Sequence, residues 1–165
     1  MIFIFGYGYT AKHLSIKVSD KEIIATSRNL NSSQDNKKNV KIVDPLKTSI
    51  MLEKYRDEIT HLLISVPPDQ SGDIFLKNVS FNLNKLTNLK WIGYLSATSV
   101  YGDHNGQFVS ETSELLTKSE RGMSRKLAED QWYQLSKKNN LPLHIFRIAG
   151  IYGPERNILD RIQSK

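Results

Sequence analysis

The first residues of the chain place glycines and a small residue where a dinucleotide-binding turn requires them. Met1 to Phe5 is apolar, and Gly6-Tyr7-Gly8-Tyr9-Thr10-Ala11 follows at once. A glycine at position 6 allows a sharp turn out of a strand, and one at position 8 leaves the backbone open to a pyrophosphate. Ala11 is small enough for the next helix to pack closely on a sheet. All six residues from Gly6 to Ala11 are therefore candidate cofactor-binding residues.

Two polar residues follow the next apolar segment, Glu22 to Thr26. Ser27 and Arg28 stand where an NAD-binding fold carries an acidic residue for the ribose hydroxyls. A hydroxyl and a guanidinium at this place suit a 2′-phosphate. NADP is therefore the predicted cofactor, with NAD as the alternative. The competing interpretation is that Arg28 is an ordinary solvated loop residue.

Candidate residues also follow two later strands. Val40 to Val43 is predicted to be a strand, and Asp44-Pro45-Leu46 comes after it. Asp44 either accepts a hydrogen bond from an adenine amino group while Leu46 packs on the ring, or caps the following helix. Thr60 to Val66 is apolar enough for a strand buried on both faces, and Pro67-Pro68 ends it. Val66 and Pro67 are thus predicted to lie along the edge where a cofactor runs.

Strands and helices must alternate to position these residues. The periodicity adds strands at Trp91 to Leu95 and Leu141 to Ile148, and helices at Ala11 to Val18, Ser49 to Asp57, Ile74 to Leu86 and Ser119 to Lys138. In the last helix, the residues predicted to face the core are Met123, Leu127, Trp132 and Leu135. This order predicts an α/β fold, a doubly wound parallel sheet of the Rossmann type, with residues 1–165 as a single domain.

Composition narrows the function further. The chain has 165 residues, is 39% hydrophobic and contains no cysteine, which excludes disulfides and thiolate metal sites and suits a cytoplasmic protein. We predict no metal site. The net charge of +6 comes from scattered lysines without an aromatic-basic motif, so nucleic-acid binding is not predicted. No apolar run approaches the roughly 20 residues that span a bilayer, so no membrane partner is predicted.

Four stretches together resemble the extended short-chain dehydrogenase/reductase superfamily, specifically the NAD(P)-dependent epimerase/dehydratase family and its atypical branch. They are Gly6 to Ala11, the Val-Tyr-Gly stretch from Ser96 to Gly102, Arg121-Gly122 through Glu129, and Arg147 to Pro154. The resemblance covers nearly the whole chain. It implies an NAD(P)-binding oxidoreductase or epimerase that acts on a small sugar-like or carbonyl substrate, with Pro154 among the cofactor-binding residues.

The family's proton-transfer pair is replaced in this chain. Family members use Tyr-x-x-x-Lys on the long helix, where the two side chains share a face and the lysine lowers the pKa of the tyrosine. Alignment on Gly122 and Glu129 places Arg121 and Arg125 at these positions. Arg125 can still hold the nicotinamide ribose. Arg121 cannot act as an acid or base near neutral pH, because the pKa of arginine lies above about 12.

The family's third catalytic group, a hydroxyl five residues before the glycine of Val-Tyr-Gly, is also replaced, because Ala97 stands there. Ser99 lies on the same side as Ala97 if the strand persists, so it is the nearest substitute. Tyr101 is a further candidate proton donor, although in the family it belongs to the scaffold. The candidate catalytic residues are Ser99, Tyr101, Arg121 and Arg125.

The length of the chain bears on its partners. In the family a substrate-binding region follows Tyr-Gly-Pro, whereas this chain ends at Lys165, in what reads as the start of a helix from Ile158 to Ile162. The resemblance therefore implies that this region is shortened or supplied by a partner chain, and a homodimer through the long helix is the alternative. Two functions remain open, an NADP-dependent enzyme and a dinucleotide-binding module without chemistry.

Overall fold

The computed structural model describes residues 1–30 and 38–157, and these form a parallel sheet of six strands in the order β3-β2-β1-β4-β5-β6. The strands are β1 (Ile2–Phe5), β2 (Ile23–Thr26), β3 (Val40–Val43), β4 (His61–Ile64), β5 (Trp91–Ala97) and β6 (Leu143–Ile148). The strand order reverses between β1 and β4, where a doubly wound sheet leaves a crevice. The predicted fold class is confirmed. The predicted helix at 158–162 lies outside the described residues.

Four α-helices connect the strands in the described part of the chain. They are α1 (Tyr9–Lys17), α2 (Thr48–Lys54), α3 (Ile74–Asn78) and α4 (Glu120–Asn139). The long helix α4 begins where the Ser119 hydroxyl accepts a hydrogen bond from the Gly122 N–H at 3.1 Å, and it ends at Asn140, whose φ is 52°. These two residues set the start and end of the helix that carries Arg121 and Arg125.

The strands bury both of their faces. Phe3 and Phe5 of β1 enter one apolar cluster, which also receives residues of α2, α3 and α4, while Ile4 enters a second cluster with Ala11 and Leu14 of α1. Period-two alternation places successive residues on opposite faces, and a parallel sheet of this kind has helices on both of them. In the first cluster the rings of Phe75 and Trp132 stack 5.7 Å apart. Helices α3 and α4 thus pack against each other on one face of the sheet.

The prediction of one continuous helix over Ile74 to Leu86 is wrong. Helix α3 ends at Asn78, Val79 adopts an extended conformation, and a separate 3-10 turn forms at Leu83–Lys85. Leu83 and Leu86 are nevertheless buried in the core. Apolar spacing therefore does not distinguish a continuous helix from a broken segment.

The inward face of α4 also differs from the prediction. Met123 and Leu127 are 50% and 40% exposed, whereas Ala128, Glu129 and Trp132 are buried. Gly122 is buried as well. No side chain fits there, because an added Cβ would collide with the Thr117 hydroxyl and would lie 2.6 Å from the Ser99 carbonyl oxygen. Trp132 and Leu135 do pack in the core, as predicted. The buried stripe also contains a glycine, an alanine and a charged residue, which a search for large apolar residues does not select.

No helix among residues 1–30 and 38–157 has both the length and the hydropathy needed to cross a bilayer.

Candidate functional site

The turn after β1 is held by the end of β2. The Gly6 N–H donates to the Thr26 hydroxyl at 2.9 Å, and the Tyr7 N–H donates to the Thr26 carbonyl oxygen at 2.8 Å. Gly6 has a φ of +101°, and a Cβ added there would lie 2.5 Å from Cγ2 of Val66. Both the backbone conformation and the neighbour require glycine at this position. Tyr7 and Ala11 are buried and support the turn from below.

Gly6→Ala is expected to lower the free energy of unfolding by about 1–3 kcal/mol, the usual cost of a non-glycine residue held in a sparsely populated backbone region. Urea denaturation followed by circular dichroism measures this loss. Gly8→Ala is the matched control, because Gly8 has a φ of −88° and an added Cβ there meets no atom within 4 Å. Equal stability of the two variants would contradict this account of the turn.

The open side of the turn is the N-terminus of α1. Gly8 is the N-cap residue, without a capping side chain, and the first turn contains no acidic residue. The first N–H groups of a helix have no intrahelical partner, and the helix dipole adds positive potential at the same end. The space that Gly8 leaves empty is therefore bordered by hydrogen-bond donors. This arrangement suits a phosphate group.

A cavity of about 770 Å³ lies beside this turn, at the carboxyl ends of β1, β4, β5 and β6. Strand register explains its position: Phe5 pairs with Ile64, and Ile64 pairs with Tyr94, so the segments after these strands lie side by side. The lining residues are Gly8, Tyr9, Thr10, Ser65, Pro67, Leu95, Ser96, Ala97, Arg121, Arg125, Ile148, Ala149, Gly150, Ile151, Tyr152, Arg156 and Asn157. The structure thus brings the glycine turn and Pro67 together with the arginine pair of α4.

The charges on the cavity wall have one sign. Its described lining contains Arg121, Arg125 and Arg156 and neither an aspartate nor a glutamate. Arg125 donates through Nη1 to the Leu95 carbonyl oxygen at 2.9 Å, which fixes it at the end of β5. The Arg156 guanidinium lies 5.2 Å from the centre of the Tyr9 ring. The cavity is therefore cationic.

The end of β5 does not present Ser99 to the cavity. The strand ends at Ala97 and a 3-10 turn begins at Thr98, so the condition that would place Ser99 on the side of Ala97, a strand that persists, is not met. Ser99 is exposed and lies outside the cavity lining. Ala97 and Ser96 do line the cavity. Ser96 is only 4% exposed, and its hydroxyl has no hydrogen-bond partner in the described part of the chain.

Tyr101 belongs to a buried ion-pair network away from the cavity. Its hydroxyl accepts a hydrogen bond from Nη1 of Arg147 at 3.1 Å, and Arg147 binds both carboxylate oxygens of Glu129 at 2.9–3.2 Å. The hydrogen bonds to Glu129 raise the pKa of Arg147 above its usual range, although burial opposes this shift. The structure places Tyr101 beside Glu111, Phe146 and Arg147 rather than beside Arg121 and Arg125.

The residues predicted for the adenosine end follow β2 and β3 on the same edge of the sheet. The Ser27 hydroxyl donates to the Asn29 carbonyl oxygen at 3.0 Å, and Arg28 is exposed. Asp44 accepts a hydrogen bond from the Leu46 N–H at 2.8 Å and so caps a short 3-10 turn at Pro45–Lys47. Leu46 is 91% exposed. Of the two interpretations of Asp44, the cap is present, and the exposed leucine leaves an apolar surface beside it.

Sequence reasoning did not select several residues that shape the site. Thr26 orients the glycine turn, and Ser96, Tyr152 and Arg156 line the cavity. Pro154, which the resemblance did suggest as a cofactor-binding residue, is outside the described lining, and its carbonyl oxygen accepts a hydrogen bond from the Tyr9 hydroxyl at 3.0 Å. The strand order does carry a signal for the residues after β6. In a parallel sheet they must lie at the same edge as the residues after β1, β4 and β5. Among the described residues there is no group of three His, Asp or Glu side chains that could hold a metal ion.

Comparison with known proteins gives matches among solved structures only. No protein-family model and no curated protein matches the chain. A conserved protein of unknown function from Silicibacter pomeroyi is 39% identical, with a TM-score of 0.85 over 98% of this chain and 56% of its own. A putative NAD-dependent epimerase/dehydratase from Methylobacillus flagellatus is 22% identical, with a TM-score of 0.74 over 99% of this chain and 58% of its own.

A third structure carries a cofactor. The dTDP-glucose 4,6-dehydratase from Bacillus anthracis, in complex with NAD, is 18% identical, with a TM-score of 0.70 over 99% of this chain and 62% of its own. This chain therefore has the fold of NAD-dependent epimerases and dehydratases, and the resemblance stated from the sequence is confirmed at the level of the fold. The chain spans 56–62% of the length of these three structures.

Proposed function

We propose that this chain is a nicotinamide-dinucleotide-binding protein of the epimerase/dehydratase kind, with its cofactor bound across the carboxyl ends of β2, β1 and β4. Gly8 carries the proposal: a Cβ at this residue would meet no atom within 4 Å, at the N-terminus of α1 and on the wall of the cavity. A glycine that the local packing does not require is explained by the close approach of a pyrophosphate.

The residues fit the rest of the cofactor in order along the edge. Tyr9 and Thr10 follow Gly8 at the phosphate position, Ser27 and Arg28 stand at the end of β2, and Arg125 lies against the end of β5. When bound, a nicotinamide cofactor supplies hydride transfer. The protein's own part is to bind and orient the dinucleotide and to keep a second ligand beside it.

Calorimetric titration of the chain with NADPH and with NADH at fixed salt tests this proposal. Saturable binding of either one with a stoichiometry of one per chain supports it. Absence of binding by both cofactors would remove it.

We assign NADP as the preferred cofactor, because Ser27 and the exposed Arg28 stand where an NAD-binding fold carries an acidic residue for the ribose hydroxyls. Arg28→Gln is expected to weaken NADPH binding by roughly 10- to 100-fold, which corresponds to about 1.5–3 kcal/mol for a hydrogen bond to a charged group. NADH affinity should change little. Calorimetry measures the affinity of the variant and of the unchanged chain for each cofactor.

Lys41→Gln is the matched control for this prediction, because it removes the same charge from exposed Lys41 on the neighbouring strand β3. The control variant should retain the preference for NADPH. Equal loss of NADPH and NADH affinity in Arg28→Gln would contradict the assignment.

A second candidate function is a dinucleotide-binding module without turnover. It is favoured by one observation, that the cavity wall presents Arg121, Arg125 and Ala97 where the family has tyrosine, lysine and a hydroxyl. Loss of NADPH absorbance in the presence of a panel of carbonyl compounds would identify an enzyme. Intact NADPH binding without turnover on the panel, alone or with a partner chain, would favour the module.

A further inference from the structure

We propose that the cavity takes, beside the dinucleotide, a small substrate that carries an oxyanion, either a carboxylate or a phosphate, and that Arg121 and Arg125 bind this group. The inference rests on the proposed function, because it assigns the second ligand of the same cavity. It concerns the end of the cavity next to α4 and β5, away from the glycine turn.

The charge balance of the cavity supports this proposal. Two other arginines of the described chain have carboxylate partners: Arg56 pairs with Glu53 at 2.9 Å, and Arg147 pairs with Glu129 at 2.9 Å. Arg121 and Arg125 form no ion pair with any described residue, and the described cavity lining contains no carboxylate. Like charges that share a partly enclosed space repel each other, and an anionic ligand removes that repulsion.

The position of the two arginines on α4 adds an argument. They are four residues apart, within the first two turns of a helix that begins at Glu120, so their side chains lie on one face. Cations near a helix N-terminus are disfavoured by the helix dipole, whereas an anion there is favoured. An arginine at position 121, in the first turn, therefore costs electrostatic free energy and does not help the helix to form. A bound oxyanion offsets this cost.

The environment of Arg125 leaves it able to bind a ligand. Its Nη1 donates to the Leu95 carbonyl oxygen, which is neutral, and a guanidinium has five N–H donors. The next residue of β5, Ser96, lines the same cavity and has a buried hydroxyl without a partner among the described residues. Buried polar groups are ordinarily hydrogen-bonded, so this hydroxyl is a second, independent sign of a polar ligand at the end of β5.

The cofactor's own phosphates are the competing source of an oxyanion, and they are expected at Gly8 to Thr10, after β1, which β4 separates from β5. Arg156 lies over the Tyr9 ring and so stands nearer to the glycine turn. We therefore assign the anion of the substrate to the α4 pair alone.

The test titrates inorganic phosphate and malonate, as separate probes, into the chain saturated with NADPH and into the cofactor-free chain, at constant ionic strength. Calorimetry reports the affinity of each probe. Arg121→Gln is expected to lower the affinity for the more tightly bound probe by about 10-fold, in line with the loss of a charge-assisted hydrogen bond. Arg121 is exposed and glutamine is a good helix former, so this variant should fold.

Lys137→Gln is the matched control, because it removes the same charge from an exposed position of the same helix outside the cavity. Equal probe affinities in Arg121→Gln and Lys137→Gln would overturn the inference, as would failure of both probes to bind the unchanged chain. If Arg121→Gln weakens NADPH as much as the probe, the arginines serve the cofactor and the inference fails while the proposed function stands. If NADPH does not bind at all, the proposed function fails, and the cofactor-free titration still decides whether Arg121 binds an oxyanion.

Discussion

Gly8→Asp is expected to weaken NADPH binding by at least roughly 100-fold without lowering the melting temperature. The backbone at Gly8 has a φ of −88° and no atom within 4 Å of an added Cβ, so aspartate fits the folded chain without strain. In the complex, its carboxylate would occupy the pyrophosphate position and repel it. Loss of two hydrogen bonds to a charged group corresponds to about 3 kcal/mol or more, which is a factor of 100 or more in affinity.

Calorimetry measures the affinity, and a circular dichroism melt checks the fold. Gly8→Asn is the matched control, since asparagine has nearly the same volume as aspartate and no charge. We expect an intermediate loss of affinity for Gly8→Asn, because volume alone blocks close approach while the repulsion is absent. If Gly8→Asp binds NADPH with nearly the same affinity as the unchanged chain, the dinucleotide does not bind at this turn.

Arg147→Met is expected to lower the free energy of unfolding by about 3–5 kcal/mol, the usual cost of leaving one partner of a buried ion pair alone. Arg147 binds both carboxylate oxygens of Glu129, which is 3% exposed, and also binds the Tyr101 hydroxyl. Its removal leaves the Glu129 carboxylate without its counter-charge. The network joins β6 to α4, so the loss should also disturb the face of α4 that carries Arg121 and Arg125.

Urea denaturation of Arg147→Met, Glu129→Gln and the double variant forms a cycle for this prediction. The double variant should be more stable than the sum of the two single losses predicts, because it leaves no isolated charge in the core. Additive losses, or a loss below about 1 kcal/mol in Arg147→Met, would indicate that the pair contributes no more than an exposed ion pair does.

The glycine turn shows why part of the site could be predicted from the sequence. Gly6 and Gly8 act through short-range geometry, a positive φ at one residue and a missing side chain at the other, and both effects follow from residue type. The pairing of Arg121 with Arg125 on one helix face depends only on the helical repeat. These features are local, and the structure places all but Gly6 on the cavity wall.

Segments distant in sequence decided the features that were missed. At the end of β5 the serine that lines the cavity is Ser96 rather than Ser99, because β5 gives way to a 3-10 turn at Thr98. The inward face of α4 includes charged Glu129, because Arg147 of β6 lies beside it. Periodicity counts apolar side chains and contains no information about which partner a polar residue will meet.

The sequence by itself determined the α/β fold class, the glycine turn after β1 and the spacing of Arg121 and Arg125 on one face of a helix, because each depends on residue type and local spacing. Only the tertiary structure decided which charges share a cavity. Strand order brings the segments after β1, β4, β5 and β6 to one edge, so that Arg121, Arg125 and Arg156 meet there without a carboxylate in the described lining. That juxtaposition arises from the crossover connections and strand register, which no single segment encodes.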